Sequence, residues 1–85
     1  KGYTYLGYVE DVDGRGLGRI TQKNKFSVGD AIEIMRPDGT NQKAVVLELL
    51  DEEGRQRESA PHSREVLYVR LNEHLKEYDI LRREE

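Results

Sequence analysis

The sequence predicts an all-β domain, a small closed or partly open antiparallel β-barrel of about six strands. Two observations predict it. About six short apolar or β-branched runs recur at intervals of roughly 8–15 residues, and Gly, Asp and Pro turn signals separate them. A third supports closure: a chain this polar must protect its sheet edges from aggregation, and a closed sheet does so.

The runs follow in order. Tyr3 to Val12 (YTYLGYVEDV) is rich in aromatic and β-branched residues, which suit a pleated, half-buried surface. Asp13-Gly14 predicts a hairpin, with Gly14 taking a positive φ, and Leu17 to Gln22 returns as a short strand. The glycines at 14, 16 and 18 mark a bulge or tight bend between them. Ala31 to Met35 alternates, with Ile32 and Ile34 on one face and Glu33 on the other. Gly29-Asp30 turns the chain into that strand, the Asp30 side chain capping backbone N–H groups, and Pro37-Asp38-Gly39 turns it out.

Lys43 to Leu50 (KAVVLELL) is the most apolar run; β-branched Val45-Val46 and flanking turn signals favour a strand over a helix. Arg57 to Arg64 is polar, contains Pro61 and reads as a loop. Val66 to Leu71 places Leu67, Val69 and Leu71 on one face. Asn72 to Glu77 reads as a short connection with room for one helical turn, and Tyr78 to Arg82 as the last strand.

Bulk composition narrows the function. The 85 residues suffice for one domain, 1–85, and not for two. A chain this short buries roughly 60–65% of its surface, so a deep pocket would compete with the core for apolar side chains. Apolar residues make up 35% and charged residues 36%, which describes a thin core under a solvated exterior. A net charge of −3 argues against non-specific nucleic-acid binding as the main role. The absence of cysteine excludes disulfides, thiolate zinc sites and a cysteine nucleophile within this chain, and fits a cytoplasmic protein. No apolar run approaches the roughly 18–20 residues that a helical membrane span needs. The chain begins at Lys1 and enters strand-like sequence by Tyr3, which reads as a domain cut from a longer protein.

No catalytic constellation stands out. Asp11-Val12-Asp13-Gly14 resembles the start of a calcium loop, but Arg15 sits at a ligand position and Gln22 where a bidentate Glu belongs. Gly14-Arg15-Gly16-Leu17-Gly18 leads into a strand, not a helix N-terminus, and lacks the lysine of a phosphate loop. Ser59, His62 and Ser63 put hydroxyls beside an imidazole without the orienting acid and oxyanion hole a hydrolase requires. His62 and His74 alone make no zinc site, and no cofactor is implied. The candidate binding residues are the bases Arg15, Arg19, Lys23 and Lys25, which form a patch if the first hairpin and the following loop are adjacent. Asn24, Phe26 and His62 join them. Phe26, the only phenylalanine, is first of all a core or barrel-end plug.

Several segments in order resemble the C-terminal domain of peptidase family U32, a bacterial group of candidate collagenases. They are Tyr5-Leu-Gly-Tyr-Val9, Lys23-Asn-Lys-Phe-Ser-Val-Gly-Asp30, Ile32-Glu-Ile34, Pro37-Asp-Gly39, Ala60-Pro-His62 and Tyr78-Asp-Ile-Leu-Arg-Arg83. The family's Ala-Pro-His-Pro pattern has Ser63 in place of its second proline here. The resemblance implies a compact β-barrel similar to the second domain of elongation-factor GTPases. It also implies a separate N-terminal catalytic domain as partner, with a protein substrate such as collagen. Relatives act in RNA hydroxylation, so RNA is the alternative partner, and a purely structural or dimerisation module is the remaining reading.

Overall fold

A computed structural model describes residues 2–85 of the chain. Among the described residues there is no helix, and nine strands form: β1 (Tyr3–Val12), β2 (Gly18–Thr21), β3 (Phe26–Ser27), β4 (Ala31–Met35), β5 (Asn41–Leu50), β6 (Gln56–Arg57), β7 (Ser59–Ala60), β8 (Val66–Leu71) and β9 (Ile80–Glu84). Six of them follow the order β4-β9-β1-β2-β8-β5, and β5 pairs back onto β4, so the antiparallel sheet closes into a ring. The expected closed all-β architecture is what the chain adopts. β6 extends β5, while β3 and β7 form a small separate ladder.

The ring closes because its two ten-residue strands bend. The first half of β1, Tyr3 to Tyr8, pairs with β9, and the second half, Val9 to Val12, pairs with β2. Likewise β5 pairs with β4 through Val45 and with β8 from Val46 onward. Each strand carries a register shift near its change of partner, between Tyr5 and Gly7 in β1 and between Val46 and Glu48 in β5. A bulge adds a residue, bends the strand and increases its twist, which is how one strand serves two sheet directions. Gly7 is the residue that permits the first corner. Its φ is +150°, and a Cβ there would lie 2.9 Å from the Thr21 carbonyl oxygen.

The core follows from these corners. Leu6, Val9, Ile20, Phe26, Ile34, Leu49, Leu67, Val69 and Leu81 are all essentially inaccessible. In β4 and β8 the inward set is the alternating one expected, Ile32 and Ile34, then Leu67, Val69 and Leu71. In β1 the inward set jumps from Leu6 to Val9, and in β5 from Val46 to Leu49, because each bulge shifts the phase by one.

Three aspartates build the turns. Asp13 accepts the backbone N–H groups of Arg15 at 2.8 Å and Leu17 at 3.1 Å. Asp51 does the same for Glu53 and Arg55, and Asp38 accepts from the amide and hydroxyl of Thr40. The positive φ of the first hairpin falls at Gly16 (81°) and not at Gly14, since the Asp13 side chain closes the first half of the turn. Before β4, Asp30 accepts the Ser27 N–H at 2.9 Å, the capping role expected of it.

Two expectations about the end of the chain change. Asn72 to Glu77 forms bends, with Leu75 tucked into the core, and the last strand begins at Ile80. The cause is Asp79, which is fully buried. Its Oδ2 accepts the Lys76 amide at 2.8 Å and contacts Arg36 Nη1 at 2.5 Å. The turn this closes holds Tyr78 at φ 76°, outside strand geometry. The same Arg36 nitrogen donates to the His74 carbonyl at 2.9 Å, and Nη2 donates to Gln42 Oε1. One guanidinium thus fastens the 72–79 segment to the β4–β5 turn. The polar segment expected as a loop, 57–64, contains β7 and the end of β6; Gln22, also fully buried, holds it by donating from Nε2 to the carbonyls of Ala60 and Asn24.

Two stability outcomes follow, both read as urea unfolding free energies. Phe26→Ala should lose about 3–5 kcal/mol, since the ring is buried; a loss under about 1 kcal/mol would mean the ring contributes no packing. Arg36→Met should lose a similar 3–5 kcal/mol by stranding the Asp79 carboxylate, and Arg36→Met with Asp79→Asn should recover part of it, since a neutral carboxamide still accepts from the Lys76 amide and strands no charge. Equal losses in the single and double variants would refute that assignment.

Candidate functional site

The sequence-predicted residues divide into two groups at opposite ends of β2. Arg15 lies in the β1–β2 turn, ion-paired to Asp13 at 2.8 Å, and Arg19 lies 3.6 Å from Glu10. Both line a shallow depression of about 310 Å³ whose other walls include Asp11, Asp13, Asp51 and Glu52. Carboxylates outnumber guanidiniums there, so this end of the sheet carries no positive excess.

Lys23, Asn24 and Lys25 sit past the other end of β2, alongside the half of β1 that β2 does not reach. The Lys23 amide donates to the Leu6 carbonyl at 2.9 Å, and Asn24 Nδ2 donates to the Tyr5 carbonyl at 2.7 Å. Asn24 therefore has a structural task, holding its loop against the edge of β1. Arg83 Nη1 donates to the Lys25 carbonyl at 2.9 Å. The Lys23 and Lys25 side chains have no carboxylate partner among the described residues. Phe26 points away from any ligand: it is 1% exposed and its backbone pairs with Ala60. His62 follows two residues later on an exposed loop that the Arg64 amide ties to the Gln22 carbonyl at 2.6 Å. The structure thus gathers Lys23, Asn24, Lys25 and His62 at one corner around a buried Phe26, and leaves Arg15 and Arg19 elsewhere.

The most distinctive surface is one the strand pattern hid. Tyr3, Tyr5 and Tyr8 are 47%, 39% and 43% exposed on the outer side of β1. Strict alternation would turn Tyr8 inward with Leu6; the bulge at Gly7 turns it out instead. A glycine inside a strand pattern is the only sequence signal of this. Register across the sheet places Tyr8 beside Ile80 and Met35, Tyr5 beside Arg82 and Glu33, and Tyr3 beside Glu84. Arg82 lies 3.6 Å over the Tyr3 ring and bonds Glu33 at 2.6–2.7 Å, so its charge is already engaged. At the far side a groove of about 410 Å³ opens between Ala31, Glu33, Lys43, Val45, Asn72 and Glu84.

Local electrostatics are set by hydrogen bonds rather than by deep burial. The Arg15 side chain, with the Leu17 and Arg15 amides, holds the Asp13 carboxyl below the usual range. The Thr40 amide and hydroxyl do the same for Asp38, and the Thr4 hydroxyl for Glu85. Partial burial, then the neighbouring Tyr8, push the Tyr5 phenol up. Among the described residues no cluster of His, Asp and Glu has the arrangement of a metal site.

The domain is a closed β ring with an aromatic outer face and a lysine-bearing corner. The comparisons give it a family. The family model described as "Peptidase family U32 C-terminal domain" matches residues 1–82, and the chain belongs to that family. Two crystal structures of the C-terminal domain of a Geobacillus thermoleovorans protein assigned to the U32 peptidases share the fold. One superposes with a TM-score of 0.83, 26% identity, and coverage of 96% of this chain and 93% of that one. The other, a selenomethionine form, gives 0.80, 26%, 93% and 98%. A comparison with curated proteins gave no significant match.

The shifts give the direction in which these groups make stability depend on pH. Asp13, Asp38 and Glu85 are lowered in the folded state, so their contribution is present above the unfolded carboxylate range. It is lost as pH falls below about 4. Tyr5 is raised, so its contribution is present below about pH 10 and lost as pH climbs through the folded value. Urea midpoints across pH should decline at both ends, Asp13→Asn with Asp38→Asn flattening the acid limb and Tyr5→Phe the alkaline one. Limbs unmoved by these variants would show that other groups control them.

Proposed function

We propose that this domain, residues 1–85, is a non-catalytic accessory module at the C-terminal end of a longer, cytoplasmic U32 peptidase. It packs on or covers the N-terminal catalytic domain and assists recognition of a protein substrate such as collagen. The observation that carries this reading is the family match across nearly the whole chain. The row of exposed tyrosines supports it, since rigid aromatic side chains give large contact area at low entropic cost. On this reading peptidase chemistry resides in the catalytic domain and this domain contributes affinity.

A second reading rests on Lys23 and Lys25, which lie beside Tyr5 with no carboxylate partner among the described residues. A cationic loop next to stacking rings is the local pattern of a single-strand RNA contact, in the service of an RNA-modifying parent. The acidic surroundings of Arg15 and Arg19 and the net charge of −3 count against it.

Deleting the domain from the full-length parent tests the first reading. KM for gelatin or a collagen-derived peptide should rise about tenfold, some 1.4 kcal/mol of lost affinity, with kcat little changed. Unchanged KM and kcat would reject the accessory role. A steep fall in transfer-RNA affinity with added salt, weakened by Lys23→Ala and Lys25→Ala, would replace it with the second reading.

A further inference from the structure

We infer that the outer face of β1, β9 and β4, centred on Tyr5, Tyr8, Ile80 and Met35, is the seat of a folded protein surface that is apolar and near neutral: the catalytic domain of the same parent chain. This rests on the accessory reading above and adds to it the face that is used.

Three structural devices converge on this face. The Gly7 bulge turns Tyr8 out beside Tyr3 and Tyr5. Arg82 props the Tyr3 ring at 3.6 Å. The groove of about 410 Å³ next to Ala31 and Val45 is a socket for a projecting side chain, the form in which interface hot spots concentrate. Tyr, Met and Arg are the residue types enriched at protein interfaces.

Charge and area choose among occupants. The bases on the face, Arg82 and Lys43, are matched by the acids Glu33 and Glu84, and Arg82 is bound to Glu33 at 2.6 Å. A polyanion finds no positive excess there, whereas an apolar, near-neutral protein surface leaves the Arg82–Glu33 pair intact. Three residue rows across β1, β9, β4 and the adjoining β5, whose Lys43 and Val45 line the groove, cover about 20 by 20 Å, or roughly 400 Å². That is about half of the ~800 Å² per partner of a standard stable interface, so a second free copy would be held only weakly. A tethered domain, at millimolar effective concentration, is held by an interface of this size.

Hydroxyl-radical footprinting of the full-length parent and of the isolated domain tests the assignment. Labelling of Tyr3, Tyr5 and Tyr8 should be lost in the parent, while Leu47, 51% exposed and outside the face, labels equally in both. Tyr8→Lys with Met35→Lys should restore Tyr5 labelling in the parent and leave the isolated domain's Tm unchanged. Equal labelling of the three tyrosines in both proteins overturns the proposal, as does protection that survives the double variant. Dimerisation of the isolated domain through this face, detected by sedimentation and abolished by the same substitutions, overturns the choice of occupant. Protection in the parent without any kinetic effect of deleting the domain would leave the docking face standing and remove the substrate-recognition role. A kinetic effect without protection would do the reverse.

Discussion

The structure depends on two bent strands. β1 and β5 each pair with one neighbour in their first half and another in their second, and each bends through a bulge near the exchange. Without those corners a sheet of this length would stay open, with exposed edges and one unfilled side. With them, six strands close and a modest set of aliphatic residues fills the interior. The same corners decide the exterior. Each bulge reverses which side chains face out, and this is why Tyr8 joins Tyr3 and Tyr5 on the surface, and why Leu49 and not Glu48 follows Val46 into the core. Core and aromatic surface are products of one constraint, and a side chain at Gly7, where a Cβ would press on the Thr21 carbonyl, would disturb both.

Most of the ring was legible from alternation because β4 and β8 are straight and half-buried, the case in which period two is clean. The aspartate turns were legible for a local reason: a short carboxylate reaching an amide two residues on needs nothing from the rest of the fold. What could not be read is what tertiary contacts create. β3 and β7 are two-residue strands with no propensity of their own, present because Gln22 and its backbone bring residues 59–65 against 22–27, and β6 is the short return of the Asp51 turn onto β5. The start of β9 moved because Asp79 satisfies a turn, and a buried Asp in a run such as YDILR gives no warning of it. The site fared likewise. The basic residues were visible, but their separation to opposite ends of β2 and the acids around Arg15 and Arg19 were not. The tyrosine face depended on a phase shift marked by one glycine.

Charge is abundant in this chain and mostly spent locally. Arg15, Arg36, Arg57, Arg70, Arg82 and Arg83 each meet a carboxylate within 3.4 Å. Several of these pairs lie on the surface, where each contributes about 0–1 kcal/mol. Their effect is to remove fixed charge from the faces they occupy, which matters more for choice of partner than for stability. The tyrosine face is neutral for this reason, and the lysine corner stands out because its side chains lack such partners.

The buried exceptions act differently. Asp79 and Gln22 are the polar side chains taken fully out of water among the described residues, and each fastens a segment too poor in apolar residues to hold itself down. Asp79 with Arg36 holds 72–79 onto the β4–β5 turn, and Gln22 holds 57–65 onto the corner around Phe26. A carboxylate buried beside a guanidinium gains little net energy over an apolar pair, yet it fixes one geometry because alternatives strand a charge. These two anchors set where the loops flanking β1 lie. The 22–25 loop covers one edge of the tyrosine-bearing half of β1, and the 72–79 segment meets Val9 at its other end through the Tyr78 amide. The aromatic face is therefore braced on both sides by buried polar contacts, so its side chains are held by the fold and have little freedom left to lose when the face is covered.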